Sequence, residues 1–175
     1  MAVAPPDAHR RSLYQGRVVD FGIETAHLPD GRQVELEVVR HRGAAAVVPL
    51  HDDGTVTLVR QWRHAGGGMH VEIPAGVLEE GETPLQCGVR ELAEEVQLMA
   101  ERWEEIGCIH TTPGFTDERI WLFAAHGLSV AQGTPEADEY IEVLRIPLAH
   151  ALTMARDGRI TDAKTICGLY LACTA

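Results

Sequence analysis

The sequence predicts an α/β fold, and three observations predict it. Apolar-rich strand segments recur between turn signals along the first 75 residues. A capped, amphipathic helix follows at about 83–96. Three more strand segments and two helical segments then complete the chain, an order that fits sheet and helices packed in layers.

Taken in order, residues 1–11 read as a disordered tail and residues 12–175 as a single domain. Residues 14–24 and 33–40 read as two strands flanking Pro29, Asp30 and Gly31, a turn in which proline presets φ and glycine supplies a positive one. Residues 44–50 and 55–62 read as a second hairpin across His51, Asp52, Asp53 and Gly54. A glycine loop at 66–68 precedes a short strand at 69–73. Thr83 then caps the helix, with Pro84 at its first position and Gln86 completing a capping box. Leu85, Val89, Leu92 and Val96 form its expected apolar stripe. Residues 103–110 and 119–125 read as strands joined by a loop, and 140–146 as another strand. Residues 147–156 read as a helix ended by Gly158, and Thr161 as the cap of a last helix running to about 173.

The helix carries the chemistry. Glu91, Glu94 and Glu95 stand at i, i+3 and i+4, one face of a helix. Like charges so placed repel by a few tenths of a kcal/mol per exposed pair. They centre about 120° from the apolar stripe. A plain solvated acidic face is the bland account. Against it stand the capped helix, the fixed loop from Gly76 to Glu82, and the Pro74-Ala75-Gly76 break that ends an apolar segment. The expected compensation is a divalent cation of the oxygen-preferring kind, Mg2+ or Mn2+. Arg90, four residues before Glu94, is placed to hold that carboxylate and offset part of the repulsion.

Gly76, Glu82, Arg90, Glu91, Leu92, Glu94, Glu95 and Leu98 together resemble the Nudix box, G-x5-E-x7-R-E-U-x-E-E-x-G-U with U a bulky apolar residue. Gln97 departs, standing where the family has a glycine in the left-handed conformation, which a non-glycine adopts at a cost of roughly 1 kcal/mol. The resemblance implies an α/β/α sandwich with a mixed sheet and an N-terminal antiparallel β extension. It also implies a metal held by Glu91, Glu94, Glu95 and the carbonyl of Ala75, with Glu82 supporting those ligands.

The flanks, residues 58–63, 72–76 and 111–118, resemble the ADP-ribose pyrophosphatase subfamily. That implies hydrolysis of ADP-ribose to AMP and ribose 5-phosphate, with Glu118 as the base that activates water and Asp117 as its rival. The catalytic set is then Glu118, Glu94, Glu82 and Arg90. Arg63 is the candidate for a phosphate or adenosine contact, because a guanidinium offers a planar fork. Glu72 and Gly114 complete the expected substrate contacts. Trp62, Phe21 and Phe115 can stack on adenine, but core packing is expected for each. The resemblance also implies a homodimer built through strands in residues 12–40. Alternatives remain open: hydrolysis of another ADP-sugar or NADH, or a non-catalytic ADP-ribose sensor, which would show a degraded box or an added DNA-binding domain.

A formal net charge of -11 opposes sequence-independent nucleic-acid binding, which needs lysine and arginine on phosphates. A small diphosphate bound through a cation stays compatible. Cys87, Cys108, Cys167 and Cys173 show no metal-ligand spacing, and Cys87, Cys167 and Cys173 read as buried thiols of an intracellular, cytoplasmic protein. No signal peptide or membrane span is expected.

Overall fold

The computed structural model describes residues 9–132 and 140–174, so the expected tail lies largely outside the described residues. The chain divides into two compact units, Met1–Arg42 with His110–Arg119, and Gly43–Ile109 with Ile120–Ala175.

The first unit is a three-stranded antiparallel sheet in the order β1 (Arg10–Gln15), β2 (Asp20–His27), β3 (Gln33–Arg40). This corrects two expectations. The stretch 14–24 is not one strand: the Gly16 N–H reaches the Val19 carbonyl at 2.8 Å and folds it into a hairpin. Strand β1 also starts at Arg10, inside the expected tail, and Arg10 is fixed there by Asp20 at 2.8 Å and Glu24 at 3.2 Å on β2. The β2–β3 turn forms where expected, with Gly31 at φ 85°. The loop after His110 is carried by this sheet: the Val39 N–H donates to Phe115 O at 2.8 Å.

In the second unit, β4 (Ala44–Pro49) is buried along its whole length, as an unbroken run of small and β-branched residues demands. It runs antiparallel to β7 (Ala75–Val77) and parallel to β9 (Arg119–Val130), with β8 (Leu98–His110) at the far edge. A second sheet orders β10 (Ile141–Pro147), β5 (Thr55–Arg63) and β6 (Gly68–Glu72). Among the described residues stand three helices, α1 (Pro84–Val96), α2 (Leu148–Arg156) and α3 (Ala163–Ala172). Alternate side chains of β4 sort the layers. Ala44, Ala46 and Val48 pack with Ala151 of α2 and Leu169 of α3. Val47 packs with Leu92 and Val96, and Ala45 with Cys87, all of α1. The period of two along a strand thus makes an α/β/α sandwich around a mixed sheet.

Three sequence expectations fail here for identifiable reasons. Strands β4 and β5 turn at Gly54 but do not form a hairpin ladder; only the Leu50–Val56 bridge joins them before each enters its own sheet. Leu85 and Val89 are exposed, and the buried face of α1 is Cys87, Gly88, Glu91, Leu92, Glu95 and Val96. Gly88 explains the rotation. A Cβ there would lie 3.3 Å from Val47, so the helix sits down on β4 through its small residues. The cap of α3 is Asp162, not Thr161: its carboxylate accepts the Thr165 N–H at 2.9 Å. Cys87 is buried as expected, whereas Cys108 and Cys173 are exposed. Among the described residues no helix is long and apolar enough to cross a membrane.

Candidate active site

The box loop and helix are placed by local chemistry. Thr83 and Gln86 satisfy each other's backbone N–H groups, so α1 starts where the sequence says it should. It ends at Gln97, whose φ of 54° and ψ of 40° reproduce the left-handed cap of a glycine; its N–H donates to the Ala93 carbonyl at 3.1 Å.

Arg90 is the hub of this surface. Its Nε and Nη2 hold the two oxygens of Glu82, each at 3.0 Å. Its Nη1 lies 2.5 Å from Glu91 Oε1 and 3.0 Å from Glu94 Oε2. Nη2 also donates to the Val77 carbonyl at 3.2 Å. Glu82 is fixed further by the Glu79 N–H at 2.9 Å. The Arg90 hydrogen bonds, against a smaller effect of burial, hold the Glu82 carboxyl below its usual range.

The glutamates therefore do not share an open face. Glu91 and Glu95 are buried beside Leu92 and Val96, and Glu94 is half-buried. Glu91 lies against the backbone of β7, where a Cβ on Gly76 would fall 1.7 Å from Glu91 Oε1. That contact is why this position requires glycine. Glu95 Oε2 accepts the Ala75 N–H at 3.0 Å, which puts the fourth expected ligand residue beside the third carboxylate. Among the described residues no three Asp, Glu, His or Cys side chains are gathered as a ready metal cage, because Glu91 and Glu94 are turned onto Arg90. The donor set nevertheless suits a hard divalent cation: it is all oxygen, and the notch left by Gly76 keeps Glu91 against the chain.

Upstream, Arg63 grips Glu72 through both guanidinium arms, at 3.0 and 2.8 Å. Lys164 of α3 binds the same carboxylate in a very short contact. Burial alone would raise the Glu72 carboxyl; Arg63 and Lys164 outweigh it and hold it down at about 2. Sequence reasoning paired neither residue with Glu72 and missed Lys164 altogether. One signal was available: it is the chain's only lysine. Trp62 and Phe115, expected in the core, are exposed, and Phe21 is half-buried. A cleft of about 430 Å³ walled by Leu85, Trp103, Trp121 and Phe123 contains none of the box carboxylates.

In the first unit, the two rival bases are told apart by their partners. Asp117 Oδ2 takes Arg40 Nη1 at 3.0 Å and its Oδ1 takes the His41 N–H at 2.9 Å. Glu118 accepts one hydroxyl bond, from Thr111 at 2.7 Å, and faces His41 Nδ1 at 3.6 Å. Gly114 is exposed, and a Cβ there would meet nothing within 4 Å, so packing does not explain this glycine.

The family described as NUDIX domain matches residues 40–168. The chain is 38% identical over 158 residues to the ADP-ribose pyrophosphatase of Bacillus subtilis (strain 168), spanning 89% of this chain and 85% of that one. It is 37% identical to the methanol dehydrogenase activator of Bacillus methanolicus, over 88% and 84% of the two chains. A solved structure described as an ADP compounds hydrolase superposes with a TM-score of 0.82 over 99% of this chain and 95% of that one, at 19% identity, which speaks for the fold. Box, fold and relatives agree, and the chain belongs to the Nudix hydrolase family.

Proposed function

We propose that this chain is a metal-dependent hydrolase that splits the diphosphate of ADP-ribose into AMP and ribose 5-phosphate. The observation that carries the reading is the Arg90 hub, which gathers Glu82, Glu91 and Glu94 beside the Gly76 notch. The 38% relative named for ADP-ribose supports the substrate. Glu91, Glu94, Glu95 and the Ala75 carbonyl are the groups that would hold Mg2+, or Mn2+ in its place. When bound, such a cation neutralises diphosphate charge and lowers the pKa of a water. Glu82 keeps Arg90 in position, and Arg90 in turn orients Glu91 and Glu94. Arg63, whose side chain is 40% exposed, is the proposed contact to phosphate or adenosine, with Glu72 fixing its plane. Gly114 stays a proposed substrate contact.

Glu118 is the proposed base, taking the proton of the attacking water. Asp117 is the poorer choice because both its oxygens already accept charge-assisted or backbone bonds. A cytoplasmic homodimer completes the reading, supported by the apolar side chains Leu13, Tyr14, Val18, Val19 and Leu36 exposed on the first unit.

A second reading keeps the chemistry and changes the substrate to another ADP-sugar or NADH. It is kept because the 37% relative, nearly as similar as the 38% one, is not named for ADP-ribose, so kinship at this level does not fix the substrate. A purely sensory role is opposed by the intact box carboxylates. The test is turnover on ADP-ribose, ADP-glucose, NADH, coenzyme A and 8-oxo-dGTP with Mg2+ or Mn2+, followed by chromatographic separation of the nucleoside monophosphate or phosphopantetheine product. ADP-ribose is expected to rank first; its ranking among the poorest would end this assignment. Glu95→Gln is expected to cut turnover by orders of magnitude with the thermal melt unchanged or raised.

A further inference from the structure

We infer that Lys164 is a positioning residue of the reaction: with Thr165 it pins the segment 72–75, and so sets where the Ala75 backbone meets the box helix. The inference rests on the metal-dependent reading above and extends it to α3, which contributes none of the box.

Every residue of the segment has its own anchor. Glu72 is gripped by Arg63 on one side and Lys164 on the other. The Ile73 N–H donates to Thr165 Oγ1 at 2.9 Å, and its side chain is 1% exposed. The Pro74 carbonyl accepts the Val47 N–H at 2.9 Å. Ala75 N–H ends on Glu95. Two of these anchors come from the first turn of α3, about ninety residues away in the chain, and they are consecutive residues. Both are themselves held. Lys164 Nζ lies 3.1 Å from Asp162 Oδ1, and the Thr165 hydroxyl donates to Asp162 Oδ2 at 2.5 Å. Asp162 is the cap of α3, so one carboxylate starts the helix and orients both clamping side chains. Gly168 lets the helix approach: a Cβ there would come within 2.9 Å of Ile73.

Charge makes the lysine's place specific. Apart from the histidines, arginine supplies every other basic side chain, and Lys164 is the one lysine in 175 residues. Its side chain is only 11% exposed, between two carboxylates. A compact ammonium with three rotatable donors bonds both there without the planar reach of a guanidinium. A cation buried merely for stability would be an expensive choice, since apolar replacements of buried ion pairs are often neutral or better. Its placement next to the turn that presents Ala75 gives it a use.

The test compares Lys164→Met, Lys164→Arg, Thr165→Val and Thr165→Ser with the unchanged protein. Groups that orient metal ligands change affinity or activity by about 10–100-fold when removed. Lys164→Met is therefore expected to lower kcat at least about tenfold and to weaken Mn2+ binding, measured by electron spin resonance of the metal, to a similar degree. KM should move less than about threefold, as for loss of an interaction made in the transition state. In the metal-free protein, hydrogen exchange should quicken at the Ile73 and Ala75 amides and not in the β10–β5 ladder. Lys164→Arg should lie between, and Thr165→Ser should retain what Thr165→Val loses. Undisturbed kcat and Mn2+ affinity in Lys164→Met would overturn the inference, as would exchange quickened uniformly over the whole unit. The exchange and Mn2+ arms need no substrate, so they decide this point even if ADP-ribose is not hydrolysed.

Discussion

Arg90 in the second unit and Arg40 in the first perform the same electrostatic task from different distances. Arg90 holds Glu82, Glu91 and Glu94, all within eight residues of itself. Arg40 holds the buried Glu24 by two bonds, one of 2.7 Å and one very short, and Asp117 at 3.0 Å, partners 16 and 77 residues away. The first hub knits one loop–helix motif to itself. The second ties the loop that bears Glu118 to a sheet formed at the other end of the chain. The difference lies in what remains when the arginine is lost. Glu24 still has Arg10 at 3.2 Å, and Asp117 still has the His41 N–H. Glu91 and Glu94 would face each other on one helix turn with the charge between them gone.

The largest effect is therefore expected from Arg90→Met. Removing one partner of a buried charged pair costs about 3–5 kcal/mol, and the residual exposure of Arg90 brings this to about 3. For a domain of this size that lowers the melt by roughly 6–12 °C. Turnover should fall by about three orders of magnitude, since Glu91 and Glu94 lose their placement. Adding Mn2+ should restore part of the melt, because a cation bound to the native state takes over the neutralisation. A metal-free Arg90→Met protein that melts like the parent would show that the hub does not offset the repulsion.

The contrast in sequence distance also explains what could be read beforehand. Thr83, Gln86 and Arg90 act within one capped helix, so their spacing alone placed them; the same spacing put the glutamates on an open face, whereas Glu91 and Glu95 turn inward beside Leu92 and Val96. The α/β order followed from the same local patterns, and the α/β/α layering from the resemblance to the Nudix family. The apolar stripe was misjudged because Leu85 and Val89 look like core, whereas Cys87 and Gly88 are the residues small enough to touch β4. Placing β4 and β5 in one hairpin failed for a related reason: a turn fixes where a chain reverses, not which neighbour each strand will choose. Arg40 with Asp117 and Lys164 with Glu72 lie 77 and 92 residues apart, and no periodicity connects them. Only the solitude of Lys164 in the composition was a visible hint.

A second test asks whether the long-range hub serves the base or is the base. Glu118→Gln should lower kcat by about 10²–10⁴, the usual contribution of a general base, with the melt within about 1 °C of the parent. Asp117→Asn should do the reverse: it weakens the Arg40 bond and lowers the melt by a few degrees, while kcat falls about tenfold or less. If Asp117→Asn abolished turnover with an intact melt, the two acidic residues would exchange roles.

Arg40→Met should sit below Arg90→Met in melt and turnover, because Arg90 holds three carboxylates, two of them on one helix turn, and Arg40 holds two on separate elements. A loss of about 1–2 kcal/mol is expected from urea unfolding. Proteolysis of the 110–119 loop should accelerate in step, since Asp117 no longer ties it to β3. Equal losses from the two arginine variants would erase the distinction between local and long-range hubs.

The smallest effect separates side-chain electrostatics from backbone conformation, and it needs one variant in each unit. Gln97 closes the Arg90 helix at φ 54°, and Gly31 closes the β2–β3 turn that leads into Arg40 at φ 85°. One left-handed site thus carries the wrong residue and the other the right one. Gln97→Gly should stabilise by about 0.5–1 kcal/mol, and Gly31→Ala should destabilise by about 1 kcal/mol, because the left-handed region disfavours a Cβ by that much. At Gly31 an added Cβ meets nothing within 4 Å, so the whole loss is backbone strain. Neither change touches a carboxylate, and kcat for both should stay within about twofold of the parent. If Gln97→Gly instead lowers the melt, the glutamine side chain contributes a contact worth more than the strain it imposes. In that case the departure from the family's glycine stabilises the box helix, and the Arg90 hub rests on a reinforced C-terminus and not a weakened one.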